Sequence, residues 1–431
     1  MNWKNTDHRS VLLLQVVIVS LFFPIPVSSI SIILFLLHSF SNRQFVVNVK
    51  SHPHRSWVWL SVLFFAVNAA SLAYTDSMEE GLRRLETMQP FLWLPLCIAS
   101  IDYTFLKSGR GKLLNTFFFA SIAAALIALG TALFYVIDTG SLYKTITDDG
   151  VEVKEYYFTY LRLSRIIMHP GYLSVYMGMA IYLGFDLIRS GHAWIRSKTV
   201  GYALLGFLLI FLFMLQGRMN LLAFAIITFS TFLLYLFRRS KPARALAYGT
   251  GILALLALLF MVLPKDVTRR FTEFKSLNYN ISAPVIHQFN GLTLRLAEWT
   301  CAWDVIEESP ITGVGLGDAK EQLLESYRQN NFVVGLRRKF NCHNQYLESW
   351  LAAGLPALIL LMCLLFYALT LAYRRKDGIL AMLILYFFMS MLTESMLIRH
   401  KAVTLFNVLL PVLVFTAGWE HKKHSIKKAE K

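Results

Sequence analysis

Three residues far apart in this sequence share a chemistry. His343, in NCHNQYLESW, carries an imidazole whose ordinary pKa of about 6.5 lets it accept a proton near neutral pH, as a general base must. Arg218, in QGRMN, and Arg295, in RLAEW, carry planar guanidinium forks that stay charged and bind phosphate oxygens in pairs. Two fixed cations beside one base suit a dianionic leaving group. The arginines would stabilise a departing pyrophosphate while the imidazole takes a proton from an incoming hydroxyl. Such a layout needs no metal or other cofactor, and the loops show neither a His cluster of metal-site spacing nor a carboxylate cage. Two of them also have a plainer reading: His343 as an interfacial or capping residue, and Arg218 as a side chain snorkelling to headgroups.

The elements that must position them are membrane helices. Of the 431 residues 56% are hydrophobic and 16% charged, a balance far from that of soluble domains. The net charge of +16 is concentrated between apolar runs, the mark of membrane topology rather than of nucleic-acid binding. Apolar runs lie at 11–23, 27–40, 57–74, 89–106, 114–137, 167–188, 199–216, 219–237, 246–263, 349–373, 378–396 and 402–418. They make about twelve spans near the roughly 20-residue length that a bilayer core demands. Pro24 and Pro26 read as the turn of a short hairpin. The expected fold is an all-α integral membrane protein. It has an N-terminal bundle over 1–263, a large, partly helical outer loop over 264–348, C-terminal helices over 349–418 and a basic tail over 419–431.

With Met1 in the cytoplasm, the basic residues around Arg43 to Arg55, Lys107 to Lys112, Arg189 to Lys198, Arg238 to Arg244 and Arg374 to Lys376 all fall in inside connections. That satisfies the positive-inside rule at every alternate loop and puts 264–348 on the outer face. The stretch from 199 to 237 would make one helix of roughly 58 Å, nearly twice the roughly 30 Å hydrocarbon core, so it must fold back. QGRMN is its only polar turning point. Leaving Arg218 at mid-bilayer would cost about 2.5 to 3.5 kcal/mol on insertion scales, and a turn at the outer surface avoids that cost.

In the outer loop, Leu296, Trp299, Trp303 and Ile306 follow helical spacing, an amphipathic helix opened by Arg295 and suited to a membrane surface. A second helix is expected around DAKEQLLESYRQN, with Leu323, Leu324 and Tyr327 as its apolar side. Between them, Gly313, Gly315 and Gly317 permit a tight turn that either packs closely or offers backbone N–H groups to a phosphate. Asn341 or Asn344 caps the helix that follows, with Tyr346 and Trp350 on the His343 face. Arg165 and His169, at i, i+4, either face a lipid diphosphate together or lie at a helix start that Pro170 shapes. Glu394 and Arg399 are expected to be structural, and they pair only if a helix ends between them. Cys301 and Cys342 share the outer loop, as a disulfide or as two free thiols.

At these residues the chain resembles the O-antigen ligase and O-antigen polymerase superfamily of bacterial envelope glycosyltransferases. The motifs are the Arg at the turn between two central spans (QGRMN), RLAEW followed by PITGVGLG, and HNQYLE at the start of the next span. The resemblance implies a GT-C-like fold and an inverting glycosyltransferase of the bacterial inner membrane, with its active site facing the periplasm. The implied donor is an undecaprenyl-diphosphate-linked glycan and the implied ligase acceptor is a lipid A-core sugar hydroxyl. Arg218 and Arg295 would then bind the diphosphate, and His343 would activate the acceptor. Candidates for further substrate contacts are Arg165, His169, Gly313, Gly315, Gly317 and Asn344. Family members often have Ser before the turn Arg, where this chain has Gly217. A polymerase joining lipid-linked repeat units would use the same residues, and the other class to weigh is a transporter of lipid-linked sugars, which predicts ionisable residues near mid-bilayer and broken helices.

Overall fold

Two prolines start the bundle. In the computed structural model, which describes residues 6–148, 150–239 and 279–418, α1 (Thr6–Ser20) and α2 (Ile25–Phe40) reverse around Pro24, the residue that caps α2. The Ser20 and Ser31 hydroxyls lie 2.7 Å apart near this turn, and His38 Nε2 lies 3.2 Å from the Thr6 carbonyl at the other end, so both ends of the hairpin are closed. α2 bends by 93° into α3 (Phe45–Ser51). Next come α4 (Arg55–Ala70), the amphipathic α5 (Met78–Met88), α6 (Pro90–Ala99) and α7 (Tyr103–Thr139). A hairpin of β1 (Tyr143–Asp148) and β2 (Val151–Tyr156), with Tyr143 opposite Tyr156, is an exception to the all-α expectation.

α8 (Tyr160–Ser164), α9 (Pro170–Ser190), α10 (Lys198–Met214) and α11 (Arg218–Arg239) follow. After the second described boundary come α12 (Gly291–Glu308), α13 (Ala319–Gln329), α14 (Val333–Arg338), α15 (Gln345–Arg375), α16 (Gly378–Met391) and α17 (His400–Phe415). Among the described residues five helices are long and apolar enough to cross a membrane, and counting the bent α2–α3 pair as one span makes six. The other expected spans fall on shorter helices or, for 246–263, outside the described residues, as do 264–278 of the outer loop and the 419–431 tail.

One boundary differs from the sequence reading. The runs 89–106 and 114–137 were expected to be separated by the basic stretch from Lys107 to Lys112, yet those residues lie inside α7. The chain breaks earlier, at Ser100 to Asp102, where the Asp102 carboxylate accepts the Phe105 N–H at 2.9 Å and caps the helix. Arg110 is buried and donates to Asp377 at 3.1 Å and to the Thr416 carbonyl at 3.0 Å. Burial would raise the Asp377 pKa, but the Arg110 charge and hydrogen bond hold it below the usual carboxylate value.

Side-chain bonds sort the connections into two ends. At one end Asn48 donates to the Ser100 carbonyl, the Asp102 N–H donates to Asp7, Asn115 donates to the His192 carbonyl, and Arg110 meets Asp377. At the other, Asp318 accepts the Asp76 and Ser77 N–H groups at 2.7 and 2.8 Å, Arg84 meets Glu348 at 3.2 Å, and Asn220 donates to the Gly171 carbonyl at 2.7 Å. The basic connections near residues 43–55, 107–112, 189–198 and 374–376 thus share an end with the start of α1. Arg218, Arg295 and His343 lie at the opposite end.

The glycine segment explains how that end is built. α15 is broken at Ala353 and Gly354, the latter with φ of 72°. The segment 309–317 docks on the break: the Val314 N–H donates to the Leu351 carbonyl at 2.9 Å, and the Gly315 N–H to that of Ala352 at 3.0 Å. Carbonyls freed by the break are thereby satisfied. A Cβ on Gly313 would come within 2.6 Å of the Gly354 nitrogen, and one on Gly317 within 2.1 Å of the Ser77 carbonyl oxygen. The first turns of α15 are therefore set by backbone-to-backbone contact.

Candidate active site

α12 supplies the first half of the site. It starts at Gly291, earlier than the expected opening at Arg295, because Asn290 and Thr293 form a reciprocal capping box. Its buried face carries Ala297, Glu298, Cys301 and Ala302, whereas Leu296 and Trp303 of the expected stripe are exposed and Ile306 is buried. Glu298 is fully buried, one turn beyond Arg295, among apolar neighbours where an unpaired carboxylate would be costly.

Its partner is His343. The imidazole Nδ1 lies 3.0 Å from Glu298 Oε2, the geometry of an N–H donating to a carboxylate. His343 precedes α15 with φ of 41°, in the left-handed region, so it does not continue the helix face of Tyr346 and Trp350. That conformation costs of order 1 to 3 kcal/mol, and flanking bonds hold it. The His343 N–H donates to Asn341 Oδ1 at 2.8 Å, the Asn344 N–H donates to Ser395 Oγ at 3.2 Å, and Lys320 Nζ donates to the Phe340 carbonyl at 2.8 Å. Burial would lower the His343 pKa, but the charge and hydrogen bond of Glu298 raise it above the ordinary imidazole value. With Nδ1–H on the carboxylate, the Nε2 lone pair is the basic one.

The arginines approach from two sides. Arg295 Nη2 lies 2.8 Å from Glu394 Oε1, and its Nη1 is 4.0 Å from Glu298 Oε2. α16 ends at Met391, so Glu394 stands in the connection to α17 and faces α12. Glu394, whose pairing with Arg399 was expected only if a helix ended between them, makes its ion pair with Arg295. Arg218 opens α11 directly after the expected turn, and its Nη1 is 3.8 Å from the place a Cβ on Gly291 would occupy, one helical turn before Arg295. The same turn is tied to the start of α9 by the bond from Asn220 to the Gly171 carbonyl. A Cβ on Gly217 would lie 2.5 Å from Ser174 Oγ, so in this chain the Ser174 hydroxyl fills the space a serine at 217 would need.

His169 belongs to this assembly. It caps α9 by accepting the Gly171 N–H on Nδ1 at 3.2 Å, which leaves the proton of the neutral ring on Nε2. Although the residue is exposed, partial desolvation of the ring by the surrounding protein holds its pKa below the ordinary value; Glu394 opposes that, while His343 and Arg399 add to it. Arg165 is exposed and stands outside that helix. α8 ends at Ser164 and the chain up to His169 is not helical, so the i, i+4 argument does not apply.

Other candidates are used inside the fold. Asn344 Oδ1 accepts the Tyr346 and Leu347 N–H groups at 2.9 and 3.2 Å, so it is the α15 cap. The Gly313, Gly315 and Gly317 N–H groups donate to Ser309, Ala352 and Thr75, so this is a packed turn and not a set of amides open to a phosphate. Cys301 and Cys342 are separate, buried free thiols. Cys342 donates to Glu348 at 3.1 Å, and burial pushes the Cys301 thiol up to about 12.

The sequence reading overlooked Glu298 and gave Glu394 only a structural role. A carboxylate at i+3 from Arg295, set between Ala297 and Trp299, was the available signal for the first. Among the described residues, Arg295 Nε, Glu298 Oε1, Trp299 Nε1 and Asn220 Oδ1 are buried without a hydrogen-bond partner. Unmet capacity of this kind is what a polar ligand would satisfy.

Residues 203–362 match the family described as O-antigen ligase. That stretch holds the turn arginine, RLAEW, the glycine segment and HNQYLE, and it supports the superfamily that those motifs resemble. Members of this family are glycosyltransferase-like membrane enzymes that use lipid-linked glycans and lipid acceptors. No curated protein matches the chain.

Proposed function

We propose that this protein is an O-antigen ligase-like, inverting and metal-independent glycosyltransferase of a bacterial inner membrane. It transfers a glycan from undecaprenyl diphosphate to a sugar hydroxyl of lipid A-core at the periplasmic face. The observation that carries the reading is the His343–Glu298 pair beside Arg295, at the end of the bundle opposite the basic loops. The acceptor hydroxyl attacks the anomeric carbon of the donor, forming the new C–O bond as the bond from that carbon to the β-phosphate oxygen breaks. The electron pair leaves with the diphosphate, whose charge Arg218 and Arg295 stabilise, and the hydroxyl proton passes to His343 Nε2. Glu298 stabilises the imidazolium so formed, as the carboxylate of a catalytic triad does.

Reconstitution of the purified protein with a lipid-diphosphate glycan and lipid A-core, without added metal or nucleotide, is expected to give glycosylated product. His343→Ala should lower the rate by about 10² to 10⁴, the usual worth of a general base. Unchanged turnover by that variant removes the base, and survival of an Arg218→Ala, Arg295→Ala double variant removes the clamp. In a deletion strain, loss of all polymer from lipopolysaccharide with accumulation of long lipid-linked chains supports a ligase. Attachment of single repeat units only would make the protein a polymerase.

A further inference from the structure

The guanidinium assigned to the donor diphosphate already holds a carboxylate. Arg295 Nη2 is 2.8 Å from Glu394 Oε1, with the two side chains 16% and 20% exposed. Glu394 is delivered from across the site by the connection between α16 and α17. That connection is fastened by other groups: Ser395 Oγ donates to Glu348 at 3.3 Å, and the Leu397 N–H donates to Gln345 at 2.6 Å. The Glu394 carboxylate is thus not what holds its own backbone. The start of α9 faces the same carboxylate, since a Cβ on Gly171 would lie 3.3 Å from His169 Nδ1 and 3.9 Å from Glu394 Cδ, and the charges of Glu394 and Arg399 both act on His169.

We infer that Glu394 is a displaceable counter-ion that sets the affinity of the site for polyprenyl diphosphates. It stands where a phosphate oxygen would bind Arg295. On donor binding it swings toward Arg399 and His169, and on its return it helps expel the lipid diphosphate product. This rests on the reading that Arg295 binds the diphosphate.

The chemistry of the product gives the device a purpose. The donor diphosphate is esterified at both ends, whereas the released lipid diphosphate ends in a phosphate monoester whose second ionisation lies near about pH 6. The product is therefore the more negative of the two and would bind two arginines more tightly than the donor does. One guanidinium edge cannot serve two anions at once, so a resident carboxylate weakens both ligands and keeps the product from stalling the site.

The test is calorimetric binding of farnesyl diphosphate, a short prenyl diphosphate, to the full chain in lipid nanodiscs. Glu394→Gln is expected to bind about tenfold more tightly than wild type, the scale of one charge-assisted pair, and Arg295→Ala more weakly. In the Arg295→Ala background the glutamine should give no gain. Equal or weaker binding by Glu394→Gln, with the Arg295→Ala loss intact, overturns the counter-ion and leaves the diphosphate clamp standing. Wild-type affinity in Arg295→Ala removes the clamp and the counter-ion together. Should the glutamine variant not fold, Glu394→Asp keeps the charge but shortens its reach by one methylene, so it should tighten binding to a smaller extent. Unchanged or weaker binding by that variant counts against the proposal in the same way.

Discussion

At the scale of single residues, a buried carboxylate is paired with an imidazole. Glu298 is fully buried and its carboxylate lies 3.0 Å from His343 Nδ1, which raises the His343 pKa above 6.5. A base acts in its neutral form, so transfer should fall as pH drops through that raised pKa. Glu298→Gln takes away the charge that stabilises the imidazolium, so the acid limb of the pH–rate profile should move to lower pH while the plateau rate falls. An acid limb that stays in place would separate Glu298 from the base. His343, Arg218 and Arg295 were legible in the sequence because their side chains are chemically distinctive and sit at breaks in apolar runs. Glu298 was not, because the role proposed for it depends on a contact with a residue 45 positions away. The partner of Glu394 was not legible for a related reason. The spacing to Arg399 is visible along the chain, whereas the pairing to Arg295 across 99 positions exists only after folding.

At the scale of elements, the determining contact lies between the glycine segment and the broken helix. The expectation of a close-packing turn at Gly313 to Gly317 follows from residue size alone, but its counterpart at Gly354 lies in a run that reads as one continuous span. The break becomes visible only when Val314 and Gly315 are seen bonding the carbonyls of Leu351 and Ala352. Because the Asn344 cap and the His343 loop begin that helix, the packing of the glycines reaches His343, the proposed base. A methyl group on Gly317 would meet the Ser77 backbone oxygen at 2.1 Å, an atom that cannot turn aside as a side chain would. Gly317→Ala should therefore destabilise the protein by about 1 to 3 kcal/mol, the usual cost of overpacking. It should lower activity together with thermal stability in detergent, while Gly111→Ala, inside α7 where no atom lies within 4 Å, should leave melting unchanged or raise it, because alanine favours a helix over glycine. Equal melting of the two variants would mean that the segment is free to shift, and its role in placing His343 would be lost. Helix ends were less legible than helix positions. Arg110 reads as a loop residue by its charge, but its contact with Asp377 allows it to lie within α7.

At the scale of the whole molecule, the alternation of basic connections is what the sequence shows best. Positive charge recurs between the apolar runs, and among the described residues the basic stretches 43–55, 107–112, 189–198 and 374–376 gather at one end with the start of α1. Span number is less legible, because several apolar runs form helices too short to cross alone, and run length does not reveal where a helix bends, as α2 does by 93° into α3. The orientation proposed here places the basic end in the cytoplasm and the His343 end outside, since the cytoplasmic excess of Lys and Arg decides insertion. Glu79, on α5 at the site end, has a side chain 90% exposed, and Arg43, at the basic end, is exposed. Among the native thiols Cys97, Cys301 and Cys342 are buried, so replacing the exposed Cys363 by Ser gives a quiet background for labelling. In intact spheroplasts a membrane-impermeant maleimide should label a Glu79→Cys variant at once, and an Arg43→Cys variant only after the membrane is opened. The reverse order would place His343 and both arginines in the cytoplasm, where the acceptor hydroxyl proposed for the reaction could not meet them at the periplasmic face.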